Sequence, residues 1–323
     1  MPKKITHKTG FLNVLCGGTG LLGAGPFHEL WEADHRRLPV YSVVLDTDMP
    51  EERLIDEGII DACIPVGLTH HEIRAVKGSH ATFGRTVEAI VREMWDYLDE
   101  EDFRNGARTT RCLAQLAFEV HRDLIASRLN QCIRDFQHRE GTDEIVPVFT
   151  GSSGGGTGSS FVILLAQALQ DTAFRSRVFQ GLTDGQMNTP TAFMVEPFFR
   201  SFVHSEDAIH PARILGNAMA FRIESEYLER KGRFKNIYHQ GLSNAGGAVL
   251  DSERDVAKVL GTSVYQFEKH WSSYIKPRTV DTADVLAIFG HYLGHDTPER
   301  AMMNTRPTPV QTEPSPNGQP QPS

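Results

Sequence analysis

The sequence has little of what marks several common protein classes. Its 323 residues include only four cysteines, Cys16, Cys63, Cys112 and Cys132, and these lack the paired spacing of a zinc site. No apolar run is long enough to span a membrane, and the apolar stretch after the basic amino terminus is too short for a signal peptide. We therefore expect a cytoplasmic protein, in a reducing compartment, that does not insert into membranes.

Two further absences narrow the function. The formal net charge is −8, so the chain lacks the basic surface on which direct nucleic-acid binding depends. The pattern G-x-x-x-x-G-K-[ST] is also missing, which excludes a P-loop nucleotide hydrolase. The glycine-rich stretches are therefore the best candidates for a ligand site.

One glycine-rich stretch, residues 144–160 with the sequence EIVPVFTGSSGGGTGSS, organises the chain. Residues 145–149 predict a buried strand and residues 161–169 a buried helix, with the glycines between them. Glycine lets backbone N–H groups approach an anion, and a helix N-terminus adds free donors and a partial positive charge. A flexible Gly/Ser linker is the alternative, but linkers are seldom enclosed by an apolar strand and an apolar helix. The residues predicted to hold phosphate here are Gly154, Gly155, Gly156, Thr157, Gly158 and Ser159.

A second glycine turn follows the first predicted strand, residues 11–16. Its residues, also predicted to contact phosphate, are Gly17, Gly18, Thr19 and Gly20. Together with Gly23 they match G-x-G-x-x-G, and the next predicted strand, residues 40–45, ends at Asp46. An acidic residue there would hold a ribose hydroxyl in a dinucleotide-binding fold. A Rossmann oxidoreductase therefore stays open as an alternative, although this motif is weak evidence and leaves residues 154–159 unexplained.

Strands and helices alternate through the rest of the chain. We predict further strands at 191–195 and 236–241 and a short strand at 59–66. Helices are predicted at 83–98, 109–136, 208–228 and 254–274, with a polar loop at 67–82. The alternation predicts a three-layer α/β fold, a mostly parallel sheet with helices on both faces. Ligands of such sheets bind at the carboxyl ends of the strands, so one ligand can reach the loops at 17–20, 46–48, 77–80, 151–159, 196–198 and 243–244.

Several motifs resemble those of the tubulin/FtsZ family. The sequence GGGTGS at 154–159 resembles the tubulin signature GGGTGSG, and LDTD at 45–48 resembles the N-T-D that follows the second strand of that family. Likewise EPF at 196–198 resembles K/R-P-F, and TVDTADV at 279–285 is similar to NVDFADV, the synergy loop of FtsZ. The resemblance covers roughly residues 10–293 and has the same order of motifs along the chain.

The resemblance implies a role for each matching residue. It implies that the glycine turns hold GTP or GDP, that Mg²⁺ is bound with them, and that Asp46 and Asp48 order a metal-bound water. It places Glu196, Asn244 and Asp255 in the nucleotide site, Asn244 and Asp255 against the base. The two aspartates could instead cap a turn, Asn244 could be a turn residue, and Asp255 could lie on a solvated helix face.

Two acids of the synergy-like loop, Asp281 and Asp284, carry the implied catalysis. In the family, one subunit inserts them into the nucleotide site of its neighbour, where they orient and deprotonate water for attack on the γ-phosphate. Their three-residue spacing places both on one helix face, which also suits a helix N-terminus without any catalytic role. Such contact is head-to-tail and generates open filaments.

The sequence departs from the family pattern at three places. Thr279 replaces the asparagine of the synergy loop, and residues 253–255 offer Glu, Arg and Asp where FtsZ offers an acid or amide to the base. The choice between GTP and ATP therefore stays open. After residue 285 we also expect no room for the second domain of tubulin and FtsZ, so a filament is uncertain and a co-encoded protein partner would supply the missing surface.

We therefore expect four regions: a lead at 1–10, a nucleotide-binding domain at 11–274, the synergy-like loop and a short helix at 275–303, and a disordered Pro/Gln-rich tail at 304–323. The resemblance implies a cytoskeletal GTP-binding protein whose GTPase activity depends on self-association. A non-hydrolysing nucleotide-binding scaffold or regulatory module that acts with a partner protein is the alternative.

Overall fold

Short apolar runs of the sequence form strands in the computed structural model, which describes residues 8–48, 52–79, 85–95, 98, 107, 110–183, 186–197, 211–241, 250 and 252–274. The strands are β1 (Thr9–Cys16), β2 (Val40–Asp46), β3 (Ala62–Pro65), β4 (Glu144–Ser152), β5 (Thr191–Val195) and β6 (Asn236–Gln240). They form one sheet in the order β3-β2-β1-β4-β5-β6, and each neighbouring pair is parallel. The predicted α/β fold with a parallel sheet is confirmed.

Helices connect the strands. They are α1 (Gly17–Leu22), α2 (Ala24–Ala33), α3 (Glu52–Asp56), α4 (His70–Ser79), α5 (Arg85–Met94), α6 (Arg111–Val120), α7 (Arg122–Glu140), α8 (Gly156–Ala168), α9 (Thr172–Val178), α10 (Pro211–Arg230) and α11 (Glu253–Tyr274). Among the described helices, none combines the length and the apolar character that a membrane span needs.

The helices cover both faces of the sheet, so the predicted three layers are present. On one face, α4 to α10 pack around fully buried aromatic rings that include Phe118, Phe136 and Phe161. On the other face, α2 and α11 cover the sheet, and Trp271 packs edge-on against Phe11 of β1. These two apolar layers fix the sheet between them.

The predicted polar loop at 67–82 is wrong, because residues 70–79 form α4. A capping box explains the helix: Thr69 N–H donates to Glu72 Oε2 (2.8 Å), and Glu72 N–H donates to Thr69 Oγ1 (3.2 Å). Ile73 and Val76 then face the core. Lys77 lies in the last turn of this helix, and its amine donates to the carbonyl oxygen of Leu98 (2.9 Å).

The predicted single helix at 109–136 is also wrong, because His121 divides it into α6 and α7. The backbone of His121 has φ −96° and ψ 12°, outside the helical range. The apolar stripe continues through the break, with Ala117 on one side and Ile125 on the other, both buried. Periodicity alone therefore could not reveal this break.

Two glycines let α11 approach the α1–α2 junction with backbone against backbone. A Cβ built on Gly261 would lie 2.4 Å from the carbonyl oxygen of Gly23 and 2.7 Å from the amide nitrogen of Phe27. A Cβ on Gly23 would lie 3.1 Å from Gly261 N. Neither position has room for a side chain, so the two backbones meet here with only the neighbouring side chains of Leu260 and Pro26 beside them.

A buried acid lies between α11 and the sheet. Glu268 is 1% exposed and lies beside Asn13 of β1, yet the Asn13 Oδ1 atom and both Glu268 carboxyl oxygens lack a hydrogen-bond partner among the described residues. Burial raises the pKa of Glu268 well above its usual value, and the neighbouring Asn13 opposes this only in part. A protonated carboxyl provides the hydrogen that Asn13 Oδ1 can accept, so the neutral acid suits this site.

We predict that the protein loses stability relative to its Glu268→Gln variant as the pH rises. The pKa of Glu268 in the folded chain lies above the 4.5 of an exposed glutamate. Below pH 4.5 the carboxyl is protonated in both the folded and the unfolded chain, so its contribution to the free energy of unfolding is fully present. This contribution is lost as the pH rises from there through the folded-state pKa, because the unfolded chain ionises first. The glutamine amide cannot ionise, so the difference in unfolding free energy changes by up to about 1.4 kcal/mol per pH unit. Urea denaturation from about pH 5 to about pH 8 measures this, and a pH-independent difference would contradict it.

Candidate functional site

The two glycine-rich segments follow neighbouring strands at one edge of the sheet. β1 pairs with β4, and residues near their carboxyl ends, such as Leu15 and Thr150, lie side by side. From β1 the chain continues outward to β2 and β3, whereas from β4 it continues outward to β5 and β6. The carboxyl edge between β1 and β4 is therefore the topological switch point, where open α/β sheets bind ligands.

The first glycine segment is the start of a helix rather than the predicted turn. α1 begins at Gly17, directly after the last residue of β1, and its N-cap residue Cys16 makes no side-chain capping hydrogen bond. Gly17 has φ +72°, a conformation that glycine adopts without strain. Gly18 is exposed and Thr19 half-buried, whereas Gly20 is buried.

The second glycine segment also becomes helical earlier than predicted. α8 begins at Gly156, five residues before the predicted start at 161, so Thr157, Gly158 and Ser159 form its first turn. Its N-cap residue is Gly155, which has no side chain to cap the helix. The amide groups of a first helical turn have no partner within the helix. Both helices therefore begin at the switch point without side-chain caps.

Glycine is required in the two glycine-rich segments because their backbones lie in direct contact with each other and with the ends of β1 and β4. A Cβ on Gly17 would lie 3.2 Å from the Cβ of Thr157, and one on Gly158 would lie 2.7 Å from Ser152 N and 3.1 Å from the carbonyl oxygen of Cys16. A Cβ on Gly20 would lie 2.6 Å from the carbonyl oxygen of Thr150. The expected shared position of the two glycine segments is thus observed.

The serine hydroxyls of the second segment bond within the protein. Ser159 Oγ donates to the carbonyl oxygen of Gly155, and Ser160 Oγ donates to the carbonyl oxygen of Arg111 (3.2 Å). Both serines are completely buried. The predicted contribution of Ser159 to a ligand would therefore come from its backbone amide and not from its hydroxyl.

The end of β2 joins the same site through Thr47. Its Oγ1 lies 2.9 Å from Thr157 Oγ1 and accepts the Ala107 N–H (2.9 Å). Thr47 was not among the predicted site residues, although it is the central residue of the family-like D-T-D sequence. That match was the signal that could have identified it.

Asp46 lies beside this pair of threonines. Its Oδ1 accepts the backbone N–H of Thr47 (2.7 Å), and Asp48 N lies 3.4 Å from the same oxygen. Burial raises the pKa of Asp46 to about 6, although these hydrogen bonds and one with Thr157 oppose the rise. Asp48 is exposed. The two acids thus sit next to the glycine segments in different environments.

Gly154 connects the site to α10. Its carbonyl oxygen accepts a hydrogen bond from Asn217 Nδ2 (3.0 Å), and a Cβ at this position would lie 2.7 Å from Ile214 Cγ2 and 3.0 Å from Pro197 Cγ. Gly154 therefore lies wedged between α10 and the end of β5. Sequence analysis predicted Gly154 but not Asn217, since a lone asparagine within a helix carries no distinguishing pattern.

Glu196, a predicted nucleotide contact, bonds to protein groups. Its Oε1 accepts hydrogen bonds from Arg222 (3.0 Å) and from His239 Nδ1 (2.9 Å), and Ser153 Oγ lies 3.5 Å from Oε2. Burial raises the pKa of Glu196, but the hydrogen bonds and charges of His239 and Arg222 outweigh it and leave the pKa below its usual value. Its role toward a nucleotide stays a prediction.

Arg111 is a buried cation that sequence analysis missed. It is 8% exposed, forms an ion pair with Glu224 of α10, and donates to the carbonyl oxygen of Ser159 (3.3 Å). The arginine therefore ties α6 and α10 to the first turn of α8. Because Glu224 pairs with Arg111, the charge of this arginine is already balanced within the protein.

The remaining predicted residues are less connected to the site. Asp255 is exposed in the first turn of α11, where its carboxylate accepts from Ser252 Oγ (2.7 Å). Asn244, Asp281 and Asp284 lie outside the described residues, as do Phe198 and the predicted tail. No group of three or more His, Cys, Asp or Glu side chains that could hold a metal ion occurs within the described part of the chain.

Comparison with protein families finds no matching family, and comparison with curated proteins finds no relative. Among solved structures, the chain is similar to CetZ from Methanosaeta thermophila strain DSM 6194, with 15% identity and a TM-score of 0.44 over 86% of this chain and 58% of that one. It is also similar to a TubZ from Clostridium botulinum phage c-st with a truncated C-terminal tail, with 14% identity and a TM-score of 0.45 over 86% and 64%. CetZ1 from Haloferax volcanii, described as a GDP-bound monomer, matches with 14% identity and a TM-score of 0.44 over 87% and 64%.

These solved structures belong to the tubulin/FtsZ family, whose motifs the sequence resembles. This chain spans less than two thirds of the length of each of the three. The fold of this chain, an α/β domain with a six-stranded parallel sheet, follows from its own structure. What this chain binds has to be argued from its own residues.

We predict that Gly20→Ala destabilises the protein and that Gly18→Ala does not. The new methyl at residue 20 would meet the Thr150 backbone at 2.6 Å, whereas at residue 18 nothing lies within 4 Å. Overpacking of this kind costs about 1–3 kcal/mol, and alanine favours a helix over glycine. Urea denaturation of both variants provides the comparison. Equal unfolding midpoints would show that the close approach of α1 to β4 is not present in solution.

Proposed function

We propose that this chain is a tubulin/FtsZ-like protein that binds a guanine nucleotide, GTP or GDP, together with Mg²⁺. The main support is the contact between the glycine-rich starts of α1 and α8 at the switch point, both without side-chain caps. The backbone amides there suit the oxygens of a polyphosphate. The pairing of two such segments also distinguishes the chain from a fold in which only the first glycine segment binds pyrophosphate.

The acids at the end of β2 fit a weakly held magnesium ion. Mg²⁺ in nucleotide sites commonly uses one or two carboxylates, with phosphate oxygens and waters as its other ligands. Asp46 and Asp48, beside Thr157, provide that number of carboxylates without a dedicated cage. When bound, the ion would neutralise phosphate charge.

GTP hydrolysis would need a second subunit. Asp281 and Asp284 would enter the site of a neighbour, orient a water molecule and remove its proton. Hydrolysis by an isolated subunit would then be slow, and head-to-tail contact, with or without a partner protein, would accelerate it.

Two other functions share part of this support. A non-hydrolysing scaffold would use the same phosphate cradle, with no catalytic role for Asp281 and Asp284. A Rossmann oxidoreductase is favoured by one observation, the strand order 3-2-1-4-5-6, which nicotinamide-binding domains also have. Titration with NADH, followed by its fluorescence, separates this function from the first two.

We expect calorimetry to show micromolar or tighter binding of GTP and GDP, and the Gly155→Asp variant to lose it. Aspartate is a favourable N-cap residue, and a Cβ at residue 155 has an ordinary contact of 3.7 Å, so the fold should persist. Its carboxylate would occupy the anion position and repel phosphate, lowering affinity about tenfold or more. The matched control is Gly78→Asp, an exposed glycine at the end of α4 with nothing within 4 Å. Millimolar binding by the unmodified chain, or equal loss in both variants, would contradict the proposal.

We expect GTP turnover per subunit to increase with protein concentration and to fall in Asp281→Ala and Asp284→Ala. Both follow if the acids act across a subunit contact. Phosphate release measured over a dilution series tests this, with light scattering to follow assembly. High turnover that is independent of concentration would contradict a shared site, and normal nucleotide affinity with no turnover at any concentration would favour the scaffold.

A further inference from the structure

Asn217 is a buried amide on the inner side of α10. It is 8% exposed, and its Nδ2 donates to the carbonyl oxygen of Gly154 (3.0 Å). Gly154 directly precedes Gly155, the N-cap residue of α8. A buried amide is stable only when it is hydrogen-bonded, so this bond holds the Gly154 carbonyl in one direction.

The N–H of Gly154 is occupied as well. It donates to Ser152 Oγ (3.2 Å), and a Cβ at this residue would lie 2.7 Å from Ile214 Cγ2. Both polar groups of Gly154 are therefore held, its N–H by Ser152 and its carbonyl by Asn217. The Gly154 N–H is consequently not available to a phosphate, and the neighbouring N–H groups have to be considered instead.

The direction of the Gly154 carbonyl determines that of the next N–H group. In a trans peptide, the C=O of one residue and the N–H of the following residue point in opposite directions. Because the Gly154 carbonyl points toward α10, the Gly155 N–H points away from that helix. This N–H makes no hydrogen bond within the described part of the chain.

Gly155 is also the accessible residue of the second glycine segment. It is half-buried, whereas the other residues from 151 to 160 are buried. A Cβ on Gly155 would make only an ordinary contact, 3.7 Å from Ser152 Cβ. A ligand oxygen can therefore approach the segment at the residue whose N–H is directed away from α10.

We propose that Asn217 is a positioning residue of the nucleotide site: it holds the Gly154 carbonyl and thereby keeps the Gly155 N–H directed at a phosphate oxygen. This inference rests on the nucleotide binding proposed above. Asn217 acts through the peptide between residues 154 and 155 and does not touch the ligand. If that peptide rotated, it would present a carbonyl oxygen, which repels phosphate, in place of an N–H, which attracts it.

The helix that carries Asn217 is itself tied to α8. Further along α10, Glu224 forms an ion pair with Arg111. The same arginine donates to the carbonyl oxygen of Ser159, in the first turn of α8 (3.3 Å). The two helices are therefore connected both at the peptide before the α8 N-cap and within the first turn, so α10 provides a fixed reference for the direction of that peptide.

Helix α7 offers a matched control. Asn130 is also 8% exposed and also donates from Nδ2 to a main-chain carbonyl oxygen, that of Val178 (2.9 Å). Val178 belongs to α9 and not to a glycine-rich segment. Asn130→Ala therefore removes an equivalent buried hydrogen bond without changing the contact on the Gly154 carbonyl.

Calorimetry with GDP and Mg²⁺ on the unmodified chain, Asn217→Ala and Asn130→Ala tests the proposal. We expect both variants to unfold at lower urea concentration, but only Asn217→Ala to bind GDP about tenfold more weakly, the effect of one hydrogen bond to a charged group. Normal GDP affinity in Asn217→Ala, or equal loss in both variants, would overturn this inference alone. Millimolar binding by the unmodified chain would overturn the proposed function and this inference with it.

NMR of the full chain with isotopically labelled glycine separates positioning from a merely structural role. On addition of GDP, the amide proton signal of Gly155 should move downfield, because this N–H would donate to phosphate, whereas that of Gly154 should move little. In Asn217→Ala the Gly155 shift should be smaller. If Asn217→Ala does not fold, Asn217→Asp, which has the same shape but no donor, takes its place, with Asn130→Asp as control. An unmoved Gly155 signal in the unmodified chain with GDP bound would overturn the inference and leave nucleotide binding intact.

Discussion

The site depends on the close approach of two helix starts, with the methylene of Gly158 against the backbone of Ser152 and Cys16, and Gly17 against Thr157. Any larger residue at these positions would separate α1 from α8 and with them the two groups of backbone amides. Parallel strands alone bring β1 and β4 together, but they leave the helices free to begin at different heights. The glycines remove that freedom, because they allow α1 to begin directly after β1 and α8 to begin after the three residues that follow β4, in contact with α1.

The surrounding side chains support this backbone arrangement without occupying it. Ser159 and Ser160 bond to nearby carbonyl groups, Arg111 is neutralised by Glu224, and Glu196 is held by Arg222 and His239. Polar groups that are already paired contribute rigidity, whereas the first-turn amides remain available for a ligand. The proposed anion site would therefore rest on backbone amides and needs no excess of basic side chains in a chain whose net charge is −8.

Most of the fold was predictable because the apolar runs are short, clearly bounded and regularly alternated with helical patterns. The strand at 191–195 was predicted with the bounds that it has in the structure. The predicted elements were wrong where a local interaction determined the backbone conformation. The Thr69–Glu72 capping box turned a polar stretch into α4, and His121 interrupted a helix whose apolar pattern continues through it. The glycine positions of the site were also predictable, but Arg111, Asn217 and His239 were not, since their roles arise only when distant segments meet.

The contact between Gly23 and Gly261 has a mechanical consequence. Side chains between helices usually absorb small displacements by changing rotamer, but here the two backbones meet directly. The α1–α2 junction and α11 therefore have little room to move toward one another. Since packed interiors transmit strain, a ligand that displaces α1 would be expected to push on α11, whose other end carries Trp271 against Phe11 of β1.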